Sequence, residues 1–404
     1  MYFSLSWRNI WRNKKRTIIV AASVFFAVIL AALMRSAQLG SYAYMIDSSA
    51  KLFTGYLQIQ GEKYWEKRSL DESIIIDPDT LTAVSRIPNV THLSPRLEAY
   101  ALISHRTSTK VSQVIGIDPE LEDQITHTRD KLVKGEYISP NSRGMLIGSG
   151  LAEMLQADIG DSLVIYGQGY HGQLAADIVP VTGIIKLPFK AMDNAMVLLP
   201  LPLAQEIFSC EQRITSLPIL VDDVRHLDGV RENARRYLAR GQRIMLWNEL
   251  MPDLEQSIEV DNVSGMIMLA ILYIVIAFGV FGTVMMMVSE RAKEFAILIS
   301  VGMRRRRLLL VLAMETLFVS FIGVVTGILF SIPIIAYFVK NPINLTGEMA
   351  ELYEQLSIEP ILAFSGHPWI FISQALVVLV IAIVTISYPL LFIRRLEPAK
   401  TIRG

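Results

Sequence analysis

Cysteine is almost missing from this chain. Cys210 stands alone in 404 residues, so no disulfide can form within it and the fold must rest on its own core. Charge is scarce as well. Charged residues make up 19% of the chain, below the usual quarter. The 38 basic residues balance the 38 acidic ones, so overall charge argues for no particular partner, and no nucleic acid is expected among them. Catalytic signatures are absent too. The sequence has no G-x-x-x-x-G-K-[ST] phosphate loop, no H-E-x-x-H and no G-x-S-x-G. Its six histidines, at 92, 105, 127, 171, 226 and 367, are scattered without metal-ligand spacing. No catalytic residue, metal ligand or bound cofactor is therefore expected, and the chain is not expected to be an enzyme.

Apolar residues are plentiful. They make up 52% of the chain, and the mean hydropathy is +0.41, too apolar for an ordinary water-soluble protein of this length. Four runs, 17–39, 261–288, 308–339 and 369–393, reach the ~20 residues needed to cross ~30 Å of hydrocarbon. Ahead of the first run, residues 1–16 hold five basic side chains and no acid. Phe3, Trp7, Ile10 and Trp11 fall on one helical stripe with Arg8 and Arg12 beside it, the pattern of a helix lying in the membrane interface. Trp7, Arg8, Trp11 and Arg12 are its expected anchors. The length of the run and its lack of a small-x-small site argue for an uncleaved span rather than a signal peptide.

Residues 40–260 read as a folded α+β domain inserted between the first and second spans. GYLQIQG alternates like a half-buried strand. Asp77-Pro78 marks the entry of a helix, Pro78 to Ser85. Strands are expected at 97–105, 111–117, 174–186, 194–199, 217–221 and 243–247. Further helices are expected at Ser149 to Leu155, Leu203 to Phe208 and Leu227 to Ala239. The change of texture places a middle piece, 97–200, as an insertion into an outer one.

Charge near the spans sets the topology. The N-terminus, the 289–307 segment and the tail 394–404 are basic, whereas 340–368 carries Glu348, Glu351, Glu354 and Glu359 against Lys340. Both termini and 289–307 are therefore expected in the cytoplasm, with the large domain and the 340–368 loop outside.

SERAKEFAILISVGMRRRR, 289–307, concentrates the chemistry. Six of its eight charges are basic, so it lies outside the bilayer. Glu290, Arg291 and Glu294 share a helical face. Phe295, Leu298 and Ile299 form an apolar stripe suited to a groove on a partner. Gly302 is placed to end the helix. This segment resembles the coupling helix of FtsX-like ABC transporter permeases, whose pattern is E-R-x-x-E-[IF]-[GA]-[IL]-[LM]-x-x-[LIV]-G followed by basic residues and a span with a glutamate. The match runs over Glu290, Arg291, Glu294, Phe295, Ala296, Ile297, Leu298, Val301, Gly302 and Glu315. HLSPRLEAYALIS, VIGIDPELE and LIGSGLAEMLQADIGDSLVIYG are similar to the extracytoplasmic core domain of the MacB type, and the span order resembles the LolC/LolE branch.

The resemblance implies a mechanotransmission permease of the bacterial inner membrane. Two cytoplasmic ATPase subunits, which carry the ATP and magnesium, would drive it, with a second permease chain, identical or paralogous, beside it. It further implies release of a lipoprotein clasped near Leu33, Met34, Met266 and Met268, with a periplasmic chaperone or adaptor as a further partner. Within the family, the alternatives are a MacB-like exporter of peptides, drugs or toxins and an FtsX-like regulator that transports nothing. Outside it stands a membrane sensor or scaffold.

Overall fold

The structure is a computed structural model that describes residues 11, 14–348, 350, 353 and 360–395. It divides into two compact units. One comprises residues up to Ala43 together with Ser257–Asn344 and the chain from Ile361 onward, and the other comprises Tyr44–Gln256 and Leu345–Pro360.

The first unit is helical. Its elements are α1 (Lys14–Ser49, continuing past the unit boundary), α2 (Pro252–Glu290), α3 (Ala292–Ser300), α4 (Arg305–Lys340) and α5 (Pro368–Arg395). Four of these, all but α3, contain helices long and apolar enough to cross a membrane. α4 is the central one. Of its most apolar stretch 56% is buried, against 17% for α2. The reason lies in small side chains. A Cβ on Gly323 would lie 2.7 Å from Val24 Cβ, and one on Gly327 would lie 2.9 Å from Val28 Cβ. Only hydrogen fits there, so the backbones of α1 and α4 approach closely along a G-x-x-x-G ridge. Val24 and Val28 then join Val284, Leu312, Val324 and Val378 in one buried cluster. Pro333 is accommodated within α4.

The second unit is a mixed α+β body around an eleven-stranded sheet. Its main path runs Gln242–Leu246, Leu57–Gly61, Ser216–Val221, Arg96–His105, Ser108–Ile117, Met196–Pro200, Met145–Gly148, Leu174–Ile185 and Leu132–Gly135. Val90–Leu93 pairs with Ser216–Val221, and Ser162–Gln168 pairs with two neighbours. Most pairings are antiparallel, but Met196–Pro200 runs parallel to Ser108–Ile117 and Met145–Gly148 runs parallel to Leu174–Ile185. Two main bodies of core form on it. One gathers Leu57, Ile59, Leu217 and Ile244, and the other Ile103, Ile147, Leu163 and Val197.

Helices appear where the caps predict them. Asp77 accepts from the Thr80 amide at the start of Pro78–Ser85, and Ser149–Leu155 forms at the expected residues. Two differences stand out. The strand Leu57–Gly61 is buried on both faces rather than half-buried. Gln58 donates to Gln60, whose own amide reaches Met245 Sδ, so both carboxamide donors are engaged within the fold. A helix not expected, Pro119–Thr126, starts at Asp118, whose carboxylate accepts from the amides of Glu120 and Leu121.

The ridge gives a direct test. Gly323→Ala should lower stability by about 1–3 kcal/mol through overpacking, read as a fall in melting temperature in detergent. Gly279→Ala should not, because nothing lies within 4 Å of that position.

Candidate functional site

Between α2 and α4 the chain makes two sharp breaks. α2 stops at Glu290 because Arg291 leaves helical geometry, with φ −96° and ψ 7°. α3 then runs from Ala292 to Ser300. It ends in a paired hydrogen-bond motif, Gly302 N–H to the Ile299 carbonyl and Met303 N–H to the Leu298 carbonyl, both at 3.0 Å. Gly302 sits at φ +101°, which glycine adopts without strain. The charged segment is thus a short helix held between two fixed corners.

Arg291 turns inward. Its guanidinium meets Glu315 of α4 at 3.0 and 3.2 Å and Glu294 at 3.1 Å, and it lies 5.2 Å from the Phe295 ring centroid. Arg291 and Glu315 are both buried, their side chains 9% and 5% exposed. Phe295 and Ala296 are buried with them. The small Ala296 therefore occupies a place where a larger side chain has no room. The apolar stripe that faces out is shifted from the expected one. It comprises Ile297, Leu298 and Val301, which are exposed, while Phe295 points into the helical core. Glu290, Lys293 and Glu294 flank it and are exposed. A cleft of about 370 Å³ opens beside it, lined by Leu298, Met303, Leu308 and Leu312, with the ion pair among its walls.

Arg304 to Arg307 are exposed at the start of α4. Cations at a helix N-terminus oppose the macrodipole, so helix stability does not account for them.

Of the other expected residues, Trp7, Arg8 and Arg12 lie outside the described residues. Trp11 is exposed, with the Lys14 ammonium 5.9 Å from its ring. Leu33 and Met34 are half-buried on α1, and Met266 and Met268 are exposed on α2. What holds α1 to α2 near them is polar. Arg35 donates to Asn262 at 2.8 Å and Tyr42 to Asp261 at 2.6 Å, a set that hydrophobic periodicity does not reveal. Gln38 packs against Gly265. Cys210 is fully buried, and burial pushes its thiol up to about 11. Among the described residues no three His, Cys, Asp or Glu side chains converge as metal ligands would.

Two family models match the chain. That of the MacB-like periplasmic core domain covers residues 17–237, more than half of it, and that of the FtsX-like permease C-terminal region covers 266–398. The lipoprotein-releasing system transmembrane protein LolC of Xylella fastidiosa is 20% identical over 329 residues, 78% of each chain. The corresponding protein LolE of Haemophilus influenzae is 24% identical over 225 residues, 53% of each. Across such relatives the chain spans from about half to about four-fifths of their length. Among solved structures, the periplasmic region of MacB from Actinobacillus actinomycetemcomitans aligns at 13% identity with a TM-score of 0.36, covering 50% of this chain and 92% of that one.

The ion pair predicts an asymmetry. Arg291→Met takes the guanidinium away from the buried Glu315 carboxylate, a loss of about 3–5 kcal/mol, whereas replacing both with apolar residues of similar volume recovers most of it. Thermal melting of Arg291→Met, Glu315→Leu and the double variant measures this.

Proposed function

The chain belongs to the FtsX-like ABC transporter permeases with a MacB-like periplasmic core domain, and on that premise we propose that it converts ATP hydrolysis on separate cytoplasmic subunits into movement of its extracytoplasmic domain. The observation that carries this reading is α3. A helix of nine residues lies between two long apolar helices and is pinned from behind by a buried ion pair, while Ile297, Leu298 and Val301 stay exposed. In this reading an ATPase subunit grips that face, with Glu290 and Glu294 at its edge. Because Arg291 holds α3 to Glu315, a push on the exposed face passes into α4 instead of bending the loop.

Length supports transmission. At 1.5 Å per residue α1 and α2 would each be over ~50 Å long, well beyond ~30 Å of hydrocarbon, so each continues past the bilayer. The basic flanks support a cytoplasmic α3 and an α+β unit outside. ATP and magnesium stay on the partner. A second permease chain, identical or paralogous, completes the pair, and the exposed apolar sides of α2 offer it a surface.

The cargo in this reading is a lipoprotein, as in the names of the relatives. Its acyl chains would lie against the apolar walls at Leu33, Met34, Met266 and Met268 before release to a periplasmic carrier. A MacB-like export role and a purely regulatory role share the same input helix and differ only on the far side.

Leu298→Asp combined with Val301→Asp should abolish copurification of a nucleotide-binding subunit and leave the melting temperature unchanged, since both positions are exposed. Retention of that subunit would sink the docking assignment. Lipoprotein release from spheroplasts, absent in the same variant and present in the parent, tests the cargo. Topology is checked in a Cys210→Ser background. An impermeant maleimide should label Lys110→Cys in intact spheroplasts but Val301→Cys only after lysis, and the reverse pattern would invert the topology.

A further inference from the structure

The α+β unit carries a second cleft, of about 380 Å³, which the transport reading does not use. It opens where separate bodies of core meet on the sheet. The strand bearing Gln58 belongs with Ile59 and Leu217, while Ile115 and Met196 belong with Ile117 and Leu198. Such junctions are favoured places for ligand sites, and the volume suits one.

The lining has three properties. Its apolar part includes Leu52, Met196 and Met251, and thioether side chains adapt to ligands of varied shape. Its uncharged polar part includes two carboxamides. Gln58 is 1% exposed and donates to Gln60 at 2.6 Å, and no described residue donates to its own carbonyl oxygen. The half-buried carboxamide of Gln113 makes no hydrogen bond among the described residues, although its backbone amide does. Both carboxamides thus keep hydrogen-bonding capacity that a ligand in the cleft could use. The third property is charge that cancels. Arg96 is bound to Glu122 at 2.6 and 3.0 Å. Arg68 lies 3.7 Å from Glu98, which also accepts from Ser216 and Tyr64.

These features weigh against the other common ligands. A phosphate or carboxylate would find both guanidinium groups already matched by carboxylates. A sugar would have to stack on Tyr100 alone, because the Arg68 guanidinium sits 3.5 Å from the Trp65 ring centroid. A peptide group, by contrast, donates and accepts as a carboxamide does. We propose that this cleft binds an uncharged, extended stretch of polypeptide. One large apolar side chain lies among Leu52, Met196 and Met251, and the peptide groups pair with Gln58 and Gln113. The site stands independently of the transport reading and of the side of the membrane the unit occupies.

Isothermal titration of the full chain in lipid nanodiscs tests it, with acetyl-Gly-Phe-Gly-amide as the probe. Saturable binding is expected, weakened about fivefold in Gln113→Ala by the loss of one hydrogen bond and abolished in Met251→Trp, which fills the cleft. Acetyl-Gly-Glu-Gly-amide should bind at least about tenfold more weakly, because its carboxylate would be buried without a partner. Should Met251→Trp lower the melting temperature, Gln113→Ala at its half-buried position decides alone. The proposal falls if the Phe peptide shows no saturable binding or binds Gln113→Ala as it binds the parent. It also falls if tri-N-acetylglucosamine saturates the cleft in its place.

Discussion

Arg291 and Glu315 meet across a helix boundary where neither is exposed to more than a trace of solvent. Taking either charge alone into such a place costs several kcal/mol, and the pairing offsets that cost. The pair also sets geometry. With Arg291 turned toward α4, the rotation of α3 about its axis is decided, and Phe295, one helical turn on, must point the same way. Ile297, Leu298 and Val301 are then left on the outside. The exposed apolar face, the feature that a partner would grip, is a consequence of where one buried guanidinium finds its carboxylate.

The apolar helices divide into two kinds by the same accounting of contacts. Between helices in lipid there is no hydrophobic drive to associate, so close packing and polar contacts must hold them. α1 and α4 use the first means, through Gly323 and Gly327 against Val24 and Val28. α2 relies more on the second. Large apolar side chains such as Ile267, Ile271 and Phe278 stay exposed along it. Arg35–Asn262, Tyr42–Asp261 and Tyr273–Gln374 tie it to its neighbours. Only its end nearest α3, at Val280, Val284 and Val288, enters the common cluster. α2 is therefore firmly joined where a push would arrive and loosely joined along the rest.

How much of this was legible depends on the range of the signal. Local signals read well. Asp77-Pro78 and the Gly-Ser step before Leu151 place helices to the residue. Asp118-Pro119 carries the same entry signal as Asp77-Pro78 and opens Pro119–Thr126 in the same way, but between two strands it is easily taken for a turn. Long-range pairings are silent in the chain. Nothing near Arg291 indicates that its partner is Glu315, 24 residues on, so a stripe drawn from spacing alone put Phe295 outside. Gln58 and Gln60 look like a solvent face until the side chains that cover them are known. The ridge at Gly323 and Gly327 was present as a pattern, and only the proximity of Val24 and Val28 gives it meaning.

The sheet takes the chain from α1 and returns it to α2 in one place. The chain enters the sheet through Leu57–Gly61 and leaves through Gln242–Leu246, and these two strands are antiparallel neighbours with Leu57 opposite Leu246. The Trp247 amide donates to the Tyr56 carbonyl at 2.9 Å, extending that pairing beyond both strands. Gln242–Leu246 is the first strand of the sheet path, paired on one side only along it. On the proposed function both helices act on the sheet at this one end, where Leu57 and Leu246 face each other. Helices that moved apart would peel the ladder open from that end, one hydrogen bond at a time. Helices that moved together would carry it without breaking any. Concerted motion of α1 and α2 is therefore the kind that this sheet relays intact.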